Sequence, residues 1–172
     1  RVTSWIHALH PIACHKLVHS VQPDLGLFQV SCRKAPAGGK VRWCQECRTC
    51  AENYLFIKAM GRDPAVFGFT RVPLDESDAT NFQIVRNGLD AADPYRYHAA
   101  RQELLGFHLA GRDVADTWMG RYVRARHGDL CGPRSPDGPR EYLEPVSAAA
   151  PLPMSAQATA AARRLLSSQD GH

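Results

Sequence analysis

No run of apolar residues in this chain reaches the roughly 18 that a membrane helix needs, and neither an internal repeat nor a signal peptide is recognisable. Charge of one sign is also scarce. Twenty-one basic residues against 17 acidic leave a net +4, too small an excess to mark a nucleic-acid binder by itself. Lysine supplies only 4 of the 21 basic residues, and the C-terminal end is rich in alanine, a pattern of coding bias rather than function. Cysteine is too thin for a secreted disulfide scaffold, at 6 in 172 residues. These shortages exclude a membrane span, a collagen and full disorder. What remains is a chain of one ordinary domain, or one domain plus a tail, with 44% apolar residues to build a core. Its first residue is Arg1 rather than Met, so further sequence is expected upstream.

The cysteines carry the chemistry. Four of the six fall in one window, Cys32-x11-Cys44-x2-Cys47-x2-Cys50. Two consecutive C-x-x-C steps bring three thiols together where a segment turns and then enters a helix. A fourth thiol from an upstream loop completes a tetrahedron, the closed arrangement of structural zinc. Neighbouring thiolates repel, and a dication removes the repulsion while fixing the loop. An iron–sulfur cluster also uses four cysteines, but its ferredoxin run ends in Cys-Pro with a longer third gap; here Ala51 follows Cys50. Zinc is the expected metal. Cys14 and Cys131 lie far from the window and read as packed or exposed thiols.

Apolar spacing predicts a helix over residues 5–21, with Pro11 suited to a first turn, ended by residues 23–26. Residues 27–30 read as a short extended piece and residues 35–39 as a flexible loop that returns Cys32 to the cysteine run. A strong helical pattern covers residues 46–60, stopped by Gly61 and Pro64. Acidic caps at residues 75–78 predict a helix reaching Leu89. Pro94 opens a longer helix to Ala110 with Gly111 as its stop, and Asp113 begins another to His127. Residues 132–139 and 147–153 are linker, and an alanine-rich stretch over 156–168 has little to bury. The expected fold is mostly α: a four-cysteine zinc loop with helical hairpins and a flexible tail. The expected organisation is a zinc module over 1–73, a helical extension over 74–131, and a Pro/Ala-rich linker and tail over 132–172.

The run Val30-Ser31-Cys32, then Val41-Arg42-Trp43-Cys44-Gln45-Glu46-Cys47-Arg48-Thr49-Cys50-Ala51, then a helix ending near Gly61-Arg62-Asp63-Pro64, resembles the zinc-binding end of the 7-cyano-7-deazaguanine synthase family. These are α/β enzymes of the PP-loop superfamily. The resemblance implies that Cys32, Cys44, Cys47 and Cys50 are zinc ligands and that the chain is the C-terminal part of an ATP-dependent, C–N-forming, ligase-like enzyme of queuosine biosynthesis. There a carboxylate is adenylated and ammonia then makes a nitrile on a deazapurine. The Arg42-Trp43-Cys44 run and the long first cysteine gap also resemble a second branch, the ATP-dependent epimerase of muramyl-peptide glutamate. The resemblance covers residues 5–65 and implies a cytoplasmic protein with a small-molecule substrate and no membrane partner, a homo-oligomer remaining open. The superfamily's Ser-Gly-Gly-x-Asp-Ser loop is absent, and Gly38-Gly39-Lys40 lacks its Ser, Asp and strand-to-helix setting. ATP is therefore expected only in a longer protein, this chain alone is expected to be inactive, and no residue is assigned a catalytic role.

A non-catalytic zinc module that binds nucleic acid or protein is the alternative from another class. His15 and His19 have the i,i+4 spacing of a metal pair but lack the intervening Glu of a metalloprotease helix, and read as ordinary helix-face histidines, with His7 and His10 nearby. His98 and His108 read as surface or packing residues. Arg121, Arg124 and Arg126 make a basic helical end that charge–dipole pairing explains without a partner. Trp118, Tyr122, Tyr95 and Tyr97 read as core or interface groups, so nucleic acid is not expected as a partner.

Overall fold

The computed structural model of the chain describes residues 11–21, 23–27, 32–35, 42–90, 92–128 and 164. Every regular element among them is helical, and no strand occurs among the described residues. The chain divides into two compact units, Leu27–Pro133 and Arg1–Gly26 with Arg134–His172.

In the described part of the second of these, α1 spans Pro11–Val21 and buries Ile12, Ala13, His15 and His19. The imidazoles of His15 and His19 stack at 5.8 Å. Residues 23–26, expected only to end α1, form a helical turn of their own, α2 (Pro23–Gly26). Pro23 is tolerated there because a first-turn residue needs no N–H. Gly26 lies against His19, where an added Cβ would sit 2.7 Å from the imidazole Nδ1.

The unit Leu27–Pro133 is built around α3 (Arg48–Ala59). One face of α3 is apolar and buried: Cys50, Ala51, Tyr54, Leu55, Phe56 and Ile57. The helix ends as expected, with Gly61 at φ +68, a left-handed value that glycine adopts without steric cost, and its N–H bonded to the Lys58 carbonyl at 2.9 Å. A 3-10 turn follows at Pro64–Phe67, its start capped by the Asp63 carboxylate. The partner of α3 is α5 (Pro94–Ala110). It begins at the proline and stops at Gly111, as the sequence predicts, with Asp93 as its N-cap. Gly106 lets the two helices approach closely, since a Cβ there would meet the Leu55 side chain at 3.1 Å.

Two predicted helices are broken in the structure. Residues 75–89 form a 3-10 stretch, Glu76–Asn81, and then a single turn, α4 (Gln83–Arg86). Between them Phe82 is extended and fully buried, its ring 5.6 Å from that of Phe107. The new turn starts where the buried Glu103 carboxylate accepts the N–H groups of Gln83 (2.9 Å) and Ile84 (2.8 Å). Likewise residues 113–127 split into α6 (Arg112–Ala115) and α7 (Trp118–His127). Thr117 restarts the helix by accepting the Gly120 N–H at 3.0 Å, a local side-chain bond that competes with continuous helix. Residues 28–30 of the extended piece expected over 27–30, residues 36–39 of the loop expected over 35–39, residues 5–10 of the first expected helix, Cys131 and the tail lie outside the described residues, apart from Arg164, which is helical.

Candidate metal centre

The four cysteines reach one point from two directions. Cys32 arrives on the segment that precedes the loop, and Arg42 closes that segment by donating to the Leu27 carbonyl. Trp43 then anchors the chain just ahead of Cys44. Its indole N–H donates to the Phe67 carbonyl at 2.8 Å, and its ring stacks on Phe69 at 4.7 Å. Phe69 in turn meets the edge of Tyr54 on α3. Cys44 is thereby held over the start of α3. Cys47 is the N-cap residue of that helix and Cys50 lies in its first turn, where unsatisfied N–H groups favour negative charge.

All four sulfurs lie within 4.8 Å of one another. Cys47 and Cys50 lie 3.6 Å apart, Cys44 and Cys50 3.7 Å, and Cys32 and Cys47 3.9 Å. A tetrahedron with metal–sulfur bonds of about 2.3 Å has edges of about 3.8 Å. The donor set therefore fits one tetrahedral ion that prefers thiolate. A cluster of several irons would hold its cysteine sulfurs further apart, by the width of the cluster itself.

Backbone N–H groups favour the thiolate at Cys32, while burial and neighbouring sulfurs oppose it at Cys47 and Cys50. Burial pushes the Cys32 thiol up, but N–H bonds from Cys44 (3.4 Å) and Lys34 outweigh it and bring the group down to about 7. Cys50 is raised by burial and then by its neighbours Cys32 and Cys47, despite an N–H from Gln45. Cys47 is raised by burial and by Cys44 and Cys32, against an N–H from Cys50. Four adjacent sulfurs cannot all ionise on their own; a dication among them is what makes the full tetrathiolate stable.

A second layer of residues shapes the turn. Gln45 has φ +62, the one left-handed non-glycine position among the described residues. Its side-chain carbonyl accepts the N–H groups of Thr70 (2.7 Å) and Arg71 (2.9 Å), and its amide donates to Thr70 Oγ1 at 2.9 Å. Its backbone carbonyl accepts from Arg71 at 2.6 Å. Arg71 is itself paired with the buried Asp78 carboxylate. Asn81 donates to the Glu46 carbonyl at 3.1 Å, tying the same turn to the Glu76–Asn81 stretch. None of Gln45, Thr70, Arg71, Asp78 or Asn81 stands out in the sequence, since no spacing rule links residue 45 to residues 70–81.

Cys32, Cys44, Cys47 and Cys50 are thus brought together as the spacing predicts. Cys14 is half-buried on α1, its thiol pushed up by burial, and belongs with His15 and His19 to the other unit. Among the described residues no helix is long and apolar enough to cross a membrane. Comparison with protein-family models, with curated proteins and with solved structures finds no match for this chain.

Proposed function

We propose that the chain is a zinc-stabilised module in which Cys32, Cys44, Cys47 and Cys50 hold one Zn²⁺, and that it serves as the C-terminal part of an ATP-dependent PP-loop enzyme similar to 7-cyano-7-deazaguanine synthase. The observation that supports the metal site is the sulfur geometry: three separations of 3.6 to 3.9 Å, and all four sulfurs within 4.8 Å of one another, as a tetrahedral ion requires. Zinc acts structurally in this reading. Four thiolates leave no open position for water or substrate, so the ion polarises nothing and generates no nucleophile. Its work is to fix the Cys44–Cys47 turn and the start of α3, which in the complete enzyme would border the substrate cleft.

The enzyme class rests on the run from Val30 to Pro64. The Arg42-Trp43-Cys44 run and the eleven residues between Cys32 and Cys44 favour the muramyl-peptide glutamate epimerase as the second reading within the same activation chemistry.

Metal analysis of the purified chain is expected to give about one zinc per chain. Cys47→Ser is expected to lower metal content and, because losing the ion releases the turn from which α3 starts, helicity with it, even though Ser is itself a good N-cap. A brown protein with iron and acid-labile sulfide would contradict the zinc assignment. For the enzyme class, the test is the encoded sequence ahead of Arg1: a Ser-Gly-Gly-x-Asp-Ser loop is expected there, and a different domain would overturn the class while leaving the metal site standing. Calorimetric titration of this chain with ATP is expected to show no heat of binding.

A further inference from the structure

We propose that the outward face of α7 binds a single-stranded polynucleotide. The helix buries Met119, Gly120 and Val123. At 100° per residue the opposite side carries, in angular order, Arg124, Arg121, Ala125, Trp118, Tyr122 and Arg126. Ala125 therefore stands at the centre of the face, with Arg121 and Arg124 on one side and Trp118, Tyr122 and Arg126 on the other. The helix contains no acidic residue.

The geometry is that of an ordered stack. The rings of Trp118 and Tyr122 lie 5.4 Å apart at an interplanar angle of 15°, and the Arg126 guanidinium sits over the Tyr122 ring at 4.9 Å. Arg121 and Arg124 are splayed to the other side, each held by one bond to a backbone carbonyl at the end of α6, of Asp116 and Ala115. A guanidinium has five donors, so each keeps most of its hydrogen-bonding capacity for a ligand. All three arginines are exposed, whereas the two rings are half-buried.

Charge complementarity selects a polyanion, and the face of Trp118 turned away from Tyr122, at the end of the stack, selects one with flat bases. Single strands are bound by this pairing, a positive track for phosphates beside aromatic rings on which bases stack. A duplex keeps its bases stacked on one another and offers the rings nothing. An anionic membrane would need a broad apolar face to insert, and this one offers only two half-buried rings and Ala125. The site lies within the unit Leu27–Pro133, and it does not depend on the zinc reading.

The test is fluorescence anisotropy of the whole chain with a labelled uridine oligomer of about a dozen nucleotides at low salt. Binding is expected, with a log–log salt slope near about −2 from three arginine–phosphate contacts and with quenching of Trp118 emission. Arg126→Glu, which removes the guanidinium over the Tyr122 ring, and Trp118→Ala are each expected to weaken binding about tenfold, with unchanged far-UV circular dichroism. Absence of binding overturns the proposal, as does binding that neither substitution changes. Equal competition by heparin together with a neutral Trp118→Ala would reduce the face to charge alone and overturn it too. Preferential binding to phosphatidylglycerol vesicles would replace the polynucleotide with a membrane.

Discussion

Gln45 shows how a single side chain can stabilise a backbone that its own Cβ disfavours. A left-handed conformation costs an L-residue about 1 kcal/mol, and the three bonds from its amide to Thr70 and Arg71 offset that cost. Gln45→Ala keeps the strain and loses the anchor, so it is expected to lower stability by about 2 kcal/mol. Gln45→Gly loses the anchor but relieves the strain, and is expected to cost clearly less. Urea unfolding of the two variants checks the order. Glu103 offers a second prediction. Burial, and then the charge of Glu52, raises its carboxyl from 4.5 to about 8 in spite of N–H bonds from Gln83 and Ile84 and the nearby Arg48. The folded state therefore binds a proton that the unfolded state releases near 4.5. Stability from this group is full below about 4.5 and is lost as pH rises through about 8. Glu103→Gln is expected to cost about 1–3 kcal/mol and to flatten the decline, seen as a smaller change in urea midpoint between mildly acid and mildly alkaline buffer.

At the scale of elements, close approaches of backbone decide which changes the helices accept. A Cβ on Gly120 would fall 2.0 Å from the Val114 carbonyl oxygen, while one on Gly106 meets only side-chain carbons of Leu55 and Phe56 at 3.1 to 3.3 Å. Gly106→Ala can be absorbed by small rotations of Leu55; Gly120→Ala has to move backbone. The second is expected to be destabilising by about 3 kcal/mol and the first by 1 kcal/mol or less, about the range of overpacking costs, as read from thermal midpoints. The helices themselves were largely legible. Pro94, Gly111, Gly61 and Pro64 mark starts and stops by backbone rules that need no tertiary partner. The breaks at Phe82 and Thr117 were not legible for the opposite reason. One depends on the buried carboxylate of Glu103, twenty residues away in sequence, and the other on a hydroxyl bond that competes with continuous helix. Periodicity reports an apolar face and is blind to both.

At the scale of the whole molecule, the proposed metal centre adds a cross-link to segments that Trp43, Gln45 and Asn81 also anchor. It ties Cys32 to Cys44 across a loop and both to the first turn of α3, whose buried face packs on α5. Spacing made the four ligands readable, because a C-x-x-C step leaves little freedom in where its sulfurs point. The frame around them was hidden: Trp43 bonds to Phe67, and Gln45 to residues near 70, through distances in sequence that no motif records. The proposed enzyme class rests on the motifs of residues 5–65 alone. Removing the metal with a strong chelator is expected to release the Cys44–Cys47 turn and fray α3 from its N-terminal end, visible as lost hydrogen-exchange protection at Cys50 to Asn53 before Phe56 and Ile57. Zinc K-edge absorption spectroscopy of the purified chain bears most directly on the central claim. Four sulfur neighbours at about 2.3 Å and no nitrogen or oxygen are expected; a shell with fewer sulfurs and an added oxygen or nitrogen would contradict the closed four-cysteine site.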